Sequence, residues 1–504
     1  MKDIRPLLNC LPEGLILQQR HRVFDQIIEC SLLRPFTPSD WAIFRRYSSR
    51  ILELGTVPSD NVSDRDFRKE FGFSEELLRA LTRPLAPEPL FPRLRSLKWC
   101  NFWTKGFDFV KVILGPSITS LVIRPPSSEK HNVDILAMLS TACPCIKTFE
   151  WKHSNHSEPS MEEVDVVSRL VCSWHELEEV ICWALNSTAI QHLASLPSLR
   201  KLSFRPHGIS FPVLSSPTFP FVKVLDIASP YHQSLSVVAA FIGQCRSSPT
   251  SLIARGDKAT TISMQELLTA LLEQLDKSRL SDLHIQETDS ETEIPLKLSS
   301  FKLAFQFCSL STVRIDSGRA VELDDEALLE MADAWPNIIT LEINDRRGWK
   351  PQSDVSLYGL RAMLQRLPVL QKLSIAVDTV LLRRSRIIED DRYGQFRVTR
   401  PFDIHVEDSW VYEDDVAEVA AFFSDLFPEM NDPGSFSYFA FAKDILDEIE
   451  PADEVRAVRA RWNIVVQTIL TMNRIRRREL GLIAGVSIDP CCINGTGALH
   501  ATRA

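Results

Sequence analysis

Glycine is scarce in this chain: 17 of 504 residues, about half the usual share of roughly 7%. That argues against a β-barrel full of tight turns and against glycine-rich phosphate loops. Long apolar runs are missing too. No window approaches the roughly 18 consecutive apolar residues of a membrane-crossing helix, so no membrane partner is expected. The opening residues, Met1-Lys2-Asp3-Ile4-Arg5-Pro6, lack the apolar core of a secretory leader. Basic charge is not in excess: 57 Lys+Arg against 66 Asp+Glu give a net charge of −9. Nucleic acid, which needs a basic footprint, is therefore not an expected partner. The 11 cysteines are odd in number and sit in apolar segments such as Val171-Cys172 and Phe307-Cys308. This usage fits reduced thiols in an intracellular protein, cytoplasmic or nuclear, better than a disulfide framework.

What the chain does have is a repeat. A six-residue pattern, L-x-x-L-x-Φ with Φ large and apolar, occurs at Leu94–Trp99, Ile118–Ile123, Ile146–Trp151, Leu177–Cys182, Leu199–Phe204 and Val222–Ile227. It returns at Leu280–Ile285, Leu310–Ile315, Ile338–Ile343 and Leu370–Ile375, with degenerate copies at Pro249–Ala254 and Pro401–Val406. The mean spacing, about 28 residues, lies inside the period of leucine-rich repeats.

Proline reinforces the pattern. Pro92, Pro116, Pro144, Pro197, Pro220, Pro336 and Pro368 each stand two residues before a copy. Proline lacks an N–H and disfavours helix in the residue before it, so it punctuates the passage from helix to strand. Segments with helical periodicity precede several copies, among them 133–139, 326–332 and 360–364, with Asp324 and Ser187 as expected N-caps. Each unit reads as helix, proline-marked turn, short strand.

The predicted fold class is therefore α/β: a leucine-rich-repeat solenoid, or horseshoe, of about twelve irregular helix–strand repeats with a helical C-terminal cap. The competing architecture is a doubly wound sheet, which would not repeat one strand sequence and one proline so regularly. Strand alternation assigns faces: pattern positions 1, 4 and 6 point into the core, and positions 5 and 7 outward.

The repeat region, about residues 30–410, resembles that of fungal F-box/leucine-rich-repeat proteins. The resemblance rests on the repeats and on their entry, Leu33-Arg34-Pro35-Phe36-Thr37-Pro38-Ser39-Asp40-Trp41 followed by Arg50-Ile51-Leu52-Glu53-Leu54. Two departures stand out. The family's Asn or Cys past each strand is replaced by Phe102, Leu185, His207 or Thr288, and only Leu11-Pro12-Glu13-Gly14-Leu15-Ile16 resembles the opening of an F-box. The F-box is thus degenerate or missing. The resemblance implies a substrate receptor of a cullin ubiquitin ligase, with a Skp-type adaptor docking the N-terminus. The alternative is a leucine-rich-repeat interaction scaffold with no ligase link. The expected segments are an N-terminal helical, F-box-like or capping segment (1–48), the solenoid (49–410), an acidic helical cap (411–480) and a poorly ordered tail (481–504).

Catalytic motifs are lacking: the sequence holds no P-loop, G-x-G-x-x-G, H-E-x-x-H or G-x-S-x-G. Cys143-Pro144-Cys145 and His153-Ser154-Asn155-His156 do not have a metal-site spacing, and Cys491-Cys492 lie in the tail. The acidic pairs Asp390-Asp391 and Asp414-Asp415 read as solvated faces. No enzymatic activity, cofactor or metal is expected.

A protein partner on the concave face is expected instead. Positions 5 and 7 give Lys98, Arg124, Glu150, Lys152, Trp183 and Arg205, then His284, Gln286, Arg314, Asp316, Glu342 and Asn344. The earlier residues are mostly basic, which points to a partner with an acidic stretch. Trp183 stands out as an interface anchor, unless a register shift turns it into the core. Residues 401–460 carry a net −13, leaving +4 for the rest of the chain. Helices are expected at 415–427 and 455–478. The Arg474–Arg478 cluster reads as a solvated helix end pairing with the acidic block, or as a nuclear-import or anion-binding patch.

Overall fold

A computed structural model describes residues 5–20, 28–55, 71–82, 89–100, 110–125, 129–152, 159–206, 218–230, 232–245, 247–260, 262–290, 294–345, 347–350, 353–380, 396–430, 436–437 and 452–485. The chain divides into two compact units, residues 1–293 with 300–310 and residues 294–299 with 311–504.

The first unit opens with a short helix, Arg5–Leu8, followed by strands β1 (Ile16–Arg20) and β2 (Ile28–Leu32), paired antiparallel. Helix Pro38–Ser48 follows, then the short strands β3 (Glu53–Gly55) and β4 (Phe71–Phe73). Thr37 and Asp40 cap the helix reciprocally, and Arg34 binds the Asp40 carboxylate at 2.6 Å. The repeats then supply β5 (Ser96–Cys100), β6 (Ser120–Arg124), β7 (Thr148–Trp151), β8 (Glu179–Leu185), β9 (Lys201–Pro206), β10 (Val224–Ala228), β11 (Ser251–Ala259) and β12 (Asp282–Ser290). With β3 at the edge, they form a parallel sheet in chain order, β3-β5-β6-β7-β8-β9-β10-β11-β12.

The second unit contains β13 (Leu296–Lys297) paired with β15 (Val321–Glu322), and a parallel sheet in the order β14 (Thr312–Ser317), β16 (Thr340–Ile343), β17 (Lys372–Ser374), β18 (Asp403–His405), β19 (Phe436–Ser437). Helices Val416–Leu426 and Ala452–Gly485 pack on each other. The latter runs through residues 481–485, which the sequence assigns to a poorly ordered tail; residues 486–504 lie outside the described residues.

Every pattern copy is a strand, and every strand opens at the third position of its pattern, the degenerate copies included. The proline turn explains why. In the copies at Leu94, Ile118, Ile338 and Leu370, the first pattern N–H donates to the carbonyl three residues back, at 3.1–3.2 Å. Proline thus occupies the second position of a β-turn, where its fixed φ is pre-set. The next step also recurs: Thr119 and Ser120 both donate to Arg95 O, Lys147 and Thr148 to Thr119 O, Glu178 and Glu179 to Lys147 O.

Positions 1, 4 and 6 are buried in copy after copy, as in Leu94, Leu97 and Trp99 or Leu199, Leu202 and Phe204. Each such side chain contributes about 1.5–3 kcal/mol. Pro401, at the head of the last copy, is exposed instead. Asp324 caps its helix, accepting from Ala327 N at 2.8 Å; for helix Ser187–Ser195 the cap is Asn186, one residue before the expected Ser187.

Helix Ala452–Gly485 is held in the second unit by its buried face of Val458, Trp462, Val465, Val466 and Ile469. The Trp462 indole donates to Ser409 O at 2.8 Å. Asn473, fully buried, donates to Phe427 O and Met430 O and accepts from the Ser424 hydroxyl.

Candidate recognition surface

The outward face of the first unit's sheet is built from two rows of side chains. Position 5 supplies Lys98, Val122, Glu150, Ile181, Ser203, Asp226, Ile253 and His284, each in register with its neighbour. Position 7 supplies Arg124, Lys152, Trp183, Arg205, Arg255 and Gln286, all half-buried. Parallel strands about 4.8 Å apart convert one sequence period into these rows.

Charge on this face is partly matched within it. Arg124 binds Glu150 at 3.1 Å, Arg255 binds Asp226 at 2.5 Å, and Asp226 also accepts from Ser203 at 2.8 Å. Arg205 reaches Asp257 at 3.5 Å. Lys98 is exposed, and Lys152 is half-buried. Asp226, Arg255, Ile181 and Ile253 belong to this face although they are not among the expected contacts; the same positional count, applied to the copies at 222 and 249, finds Asp226 and Arg255.

Trp183 is half-buried while Cys182 beside it is buried, so the register keeps Cys182 in the core. The ladder slips here. Cys182 pairs with Phe204, but the next pair is Leu185 with Pro206, so β8 uses one more residue than β9. Ala184 and Leu185 are both buried. That pair of successive inward residues, breaking the alternation right after Trp183, is the sequence signal of the bulge.

In the second unit the corresponding rows are closed. Arg314 is exposed, but Asp316, Glu342 and Asn344, expected as presented contacts, are buried. Each is engaged within the fold. Glu342 is bound by Arg314 at 2.6 Å and by Lys372. Asn344 sits at φ 59° and ties consecutive turns together: its Oδ1 accepts from Ser317 N at 2.7 Å, and its Nδ2 donates to Arg319 O and Gly348 O. Asp316 faces Arg347 at 3.9 Å. Asp316, Glu342 and Asn344 therefore belong to the interior of the second unit and not to a presented face.

Farther along these rows, Ser374, His405 and Glu407 form a triangle. The Ser374 hydroxyl donates to Glu407, and His405 Nδ1 lies 3.0 Å from both Ser374 Oγ and Glu407 Oε1. A nucleophilic relay needs serine and carboxylate on opposite ring nitrogens; here both meet Nδ1. Burial pushes the Glu407 carboxyl up to about 7.

Among the described residues no cluster of His, Cys, Asp or Glu is arranged to hold a metal ion. Cys143 is buried just past helix Glu129–Ala142, and burial pushes its thiol up to about 11. His153, His156, Asp390, Asp391, Cys491 and Cys492 lie outside the described residues. Asp415, read as solvated, is buried beneath its helix start, whereas Asp414 is exposed.

In the basic cluster, Arg476 turns inward to Ser424 O at 2.7 Å, while Arg474, Arg477 and Arg478 are exposed. Asp425, of the acidic block, pairs instead with Arg361 and Arg397. Among the described residues no helix is long and apolar enough to cross a membrane.

Compared with models of known protein families, the chain matches none, and no curated protein matches it either.

Proposed function

We propose that this chain is a non-catalytic protein-recognition solenoid of leucine-rich-repeat type, working in the cell interior. What carries the reading is the recurrence of the repeats: the same strand start in every copy, the proline turn in the copies at Leu94, Ile118, Ile338 and Leu370, and, within each compact unit, the same carbonyl contact from one copy to the next. A helix–strand unit of this size cannot bury its own apolar face, and stacked units can. The product of stacking is an ordered face of rows, and in the first unit that face carries half-buried basic and aromatic side chains.

Of the two forms this function takes, the interaction scaffold has a specific observation on its side. The Leu11-Pro12-Glu13-Gly14 stretch forms a turn, with Leu15 N donating to Pro12 O and Gly14 at φ 80°, and leads into β1. Residues 16–20 and 28–32 are strands. An F-box-like docking element needs helices with an exposed apolar face, and Trp41 and Phe44 of helix Pro38–Ser48 are buried. Size-exclusion chromatography of the purified chain with a purified Skp-type adaptor separates the forms: co-elution supports the ligase receptor, and separate elution at micromolar concentrations supports the scaffold.

A further inference from the structure

We infer that the bulge in β8 is the partner-reading point of the first unit's face, and that it takes an acidic segment of another protein with an apolar or aromatic side chain set between carboxylates. The inference rests on the recognition reading and gives its partner a chemistry.

The bulge is the first observation. Between Cys182 and Leu185 the β8–β9 ladder loses its register. An extra residue bends the strand and re-aims side chains, and bulges concentrate beside functional sites for that reason. Here the shifted stretch contains Trp183, which keeps its outward place and is the only Trp, Tyr or Phe among the described residues of the two rows. Tryptophan supplies a large, stiff contact surface and is enriched among residues that dominate binding energy.

Its surroundings are the second observation. Lys152 follows β7 on one side of Trp183, and Arg205 lies in β9 on the other. Ile181 precedes Trp183 on the same face and is half-buried. An apolar centre is thus flanked by two cations. The nearby carboxylates balance two of the cations without reversing the sign: Glu150 is paired with Arg124 at 3.1 Å and Asp257 with Arg205 at 3.5 Å, and Lys152 adds a further positive charge.

Geometry limits the occupant. Two strand spacings of about 4.8 Å separate the Lys152 and Arg205 rows, a span of about 10 Å. An extended chain advances about 3.3 Å per residue, so roughly three residues cross it. An acid–apolar–acid stretch lying across the strands matches the order cation, tryptophan, cation. A polyanionic strand matches it less well, because a chain of net charge −9 repels long polyanions and offers them only a local patch.

Panning the full-length protein against a phage-displayed library of random dodecapeptides tests the inference. The expected consensus has an apolar or aromatic residue flanked by Asp or Glu, and enrichment falls at least about tenfold in Trp183→Ala and in Lys152→Glu. Lys152→Glu alters only a half-buried surface charge, so it reports even if Trp183→Ala folds poorly. A consensus without carboxylates, or one unaffected by Lys152→Glu, overturns this inference and leaves the recognition reading in place. A wild-type chain that enriches no consensus overturns both.

Discussion

Arg314 Nε lies 2.6 Å from Glu342 Oε2, joining adjacent strands through a carboxylate that is only 4% exposed. Lys372 binds the same carboxylate from the strand on the other side. Both cations are about half exposed and return to water if the acid is lost, so the penalty falls on the carboxylate side of the contact. Glu342→Ala is expected to lower the second unit's stability by less than about 1 kcal/mol, because the released cations rehydrate, and the double variant Arg314→Ala/Lys372→Ala by about 1–3 kcal/mol, because the buried carboxylate is left without its cations. Urea titrations of the two variants measure the difference.

Asn344 provides a sharper contrast. Its backbone is left-handed and its side chain makes three hydrogen bonds to main-chain groups. Asn344→Ala loses those bonds while keeping the left-handed Cβ strain of about 1–2 kcal/mol that glycine relieves. Asn344→Gly loses the bonds but not the conformation. The alanine variant should therefore melt below the glycine variant, and both below the wild type.

Glu407 sets a pH dependence. Burial raises its carboxyl to about 7, and Ser374 and His405 bind only part of it. The folded state then holds a proton that the unfolded state releases near pH 4.5. Stability from this group is present below pH 4.5 and is lost as pH rises to about 7, by at most about 3 kcal/mol. Glu407→Gln removes the titration, so the stability of the variant relative to the wild type should increase between those pH values. Thermal melts across that range measure it.

Thiol labelling checks burial directly. Among the described cysteines, Cys10, Cys145 and Cys308 are exposed, while Cys30, Cys143, Cys182 and Cys245 are buried. Burial pushes the thiols of Cys143 and Cys245 up to about 11 and about 12. Iodoacetamide at neutral pH should modify the first group in the native chain and the second only after denaturation, as read by peptide mass spectrometry.

Strand placement was legible because one proline turn and one apolar pattern recur, and a period of two sorts core from surface without tertiary knowledge. Asn186 instead of Ser187 as a cap shows the usual limit at element ends, where neighbouring residues have similar capping chemistry. The burial of Asp316, Glu342 and Asn344 was not legible. Alternation says which face a residue occupies, but not that Arg314 and Lys372 close over a carboxylate, or that an asparagine turns back to bind the main chain. The bulge at Trp183 leaves only a faint trace, the adjacent inward pair Ala184 and Leu185. The N-terminal strand pair went unseen because Leu-Pro-Glu-Gly suits a tight turn as well as a helix entry.

The proposed binding face rests most heavily on Trp183 as a surface anchor. Trp183→Ala, compared with the wild type for both its melting temperature and the proteins retained from a cell extract, tests it most directly. The account predicts a melting temperature changed by no more than a few degrees and the loss of proteins that the wild type retains. A large fall in melting temperature would place Trp183 in the core, and an unchanged set of retained proteins at an unchanged melting temperature would remove it from the binding surface.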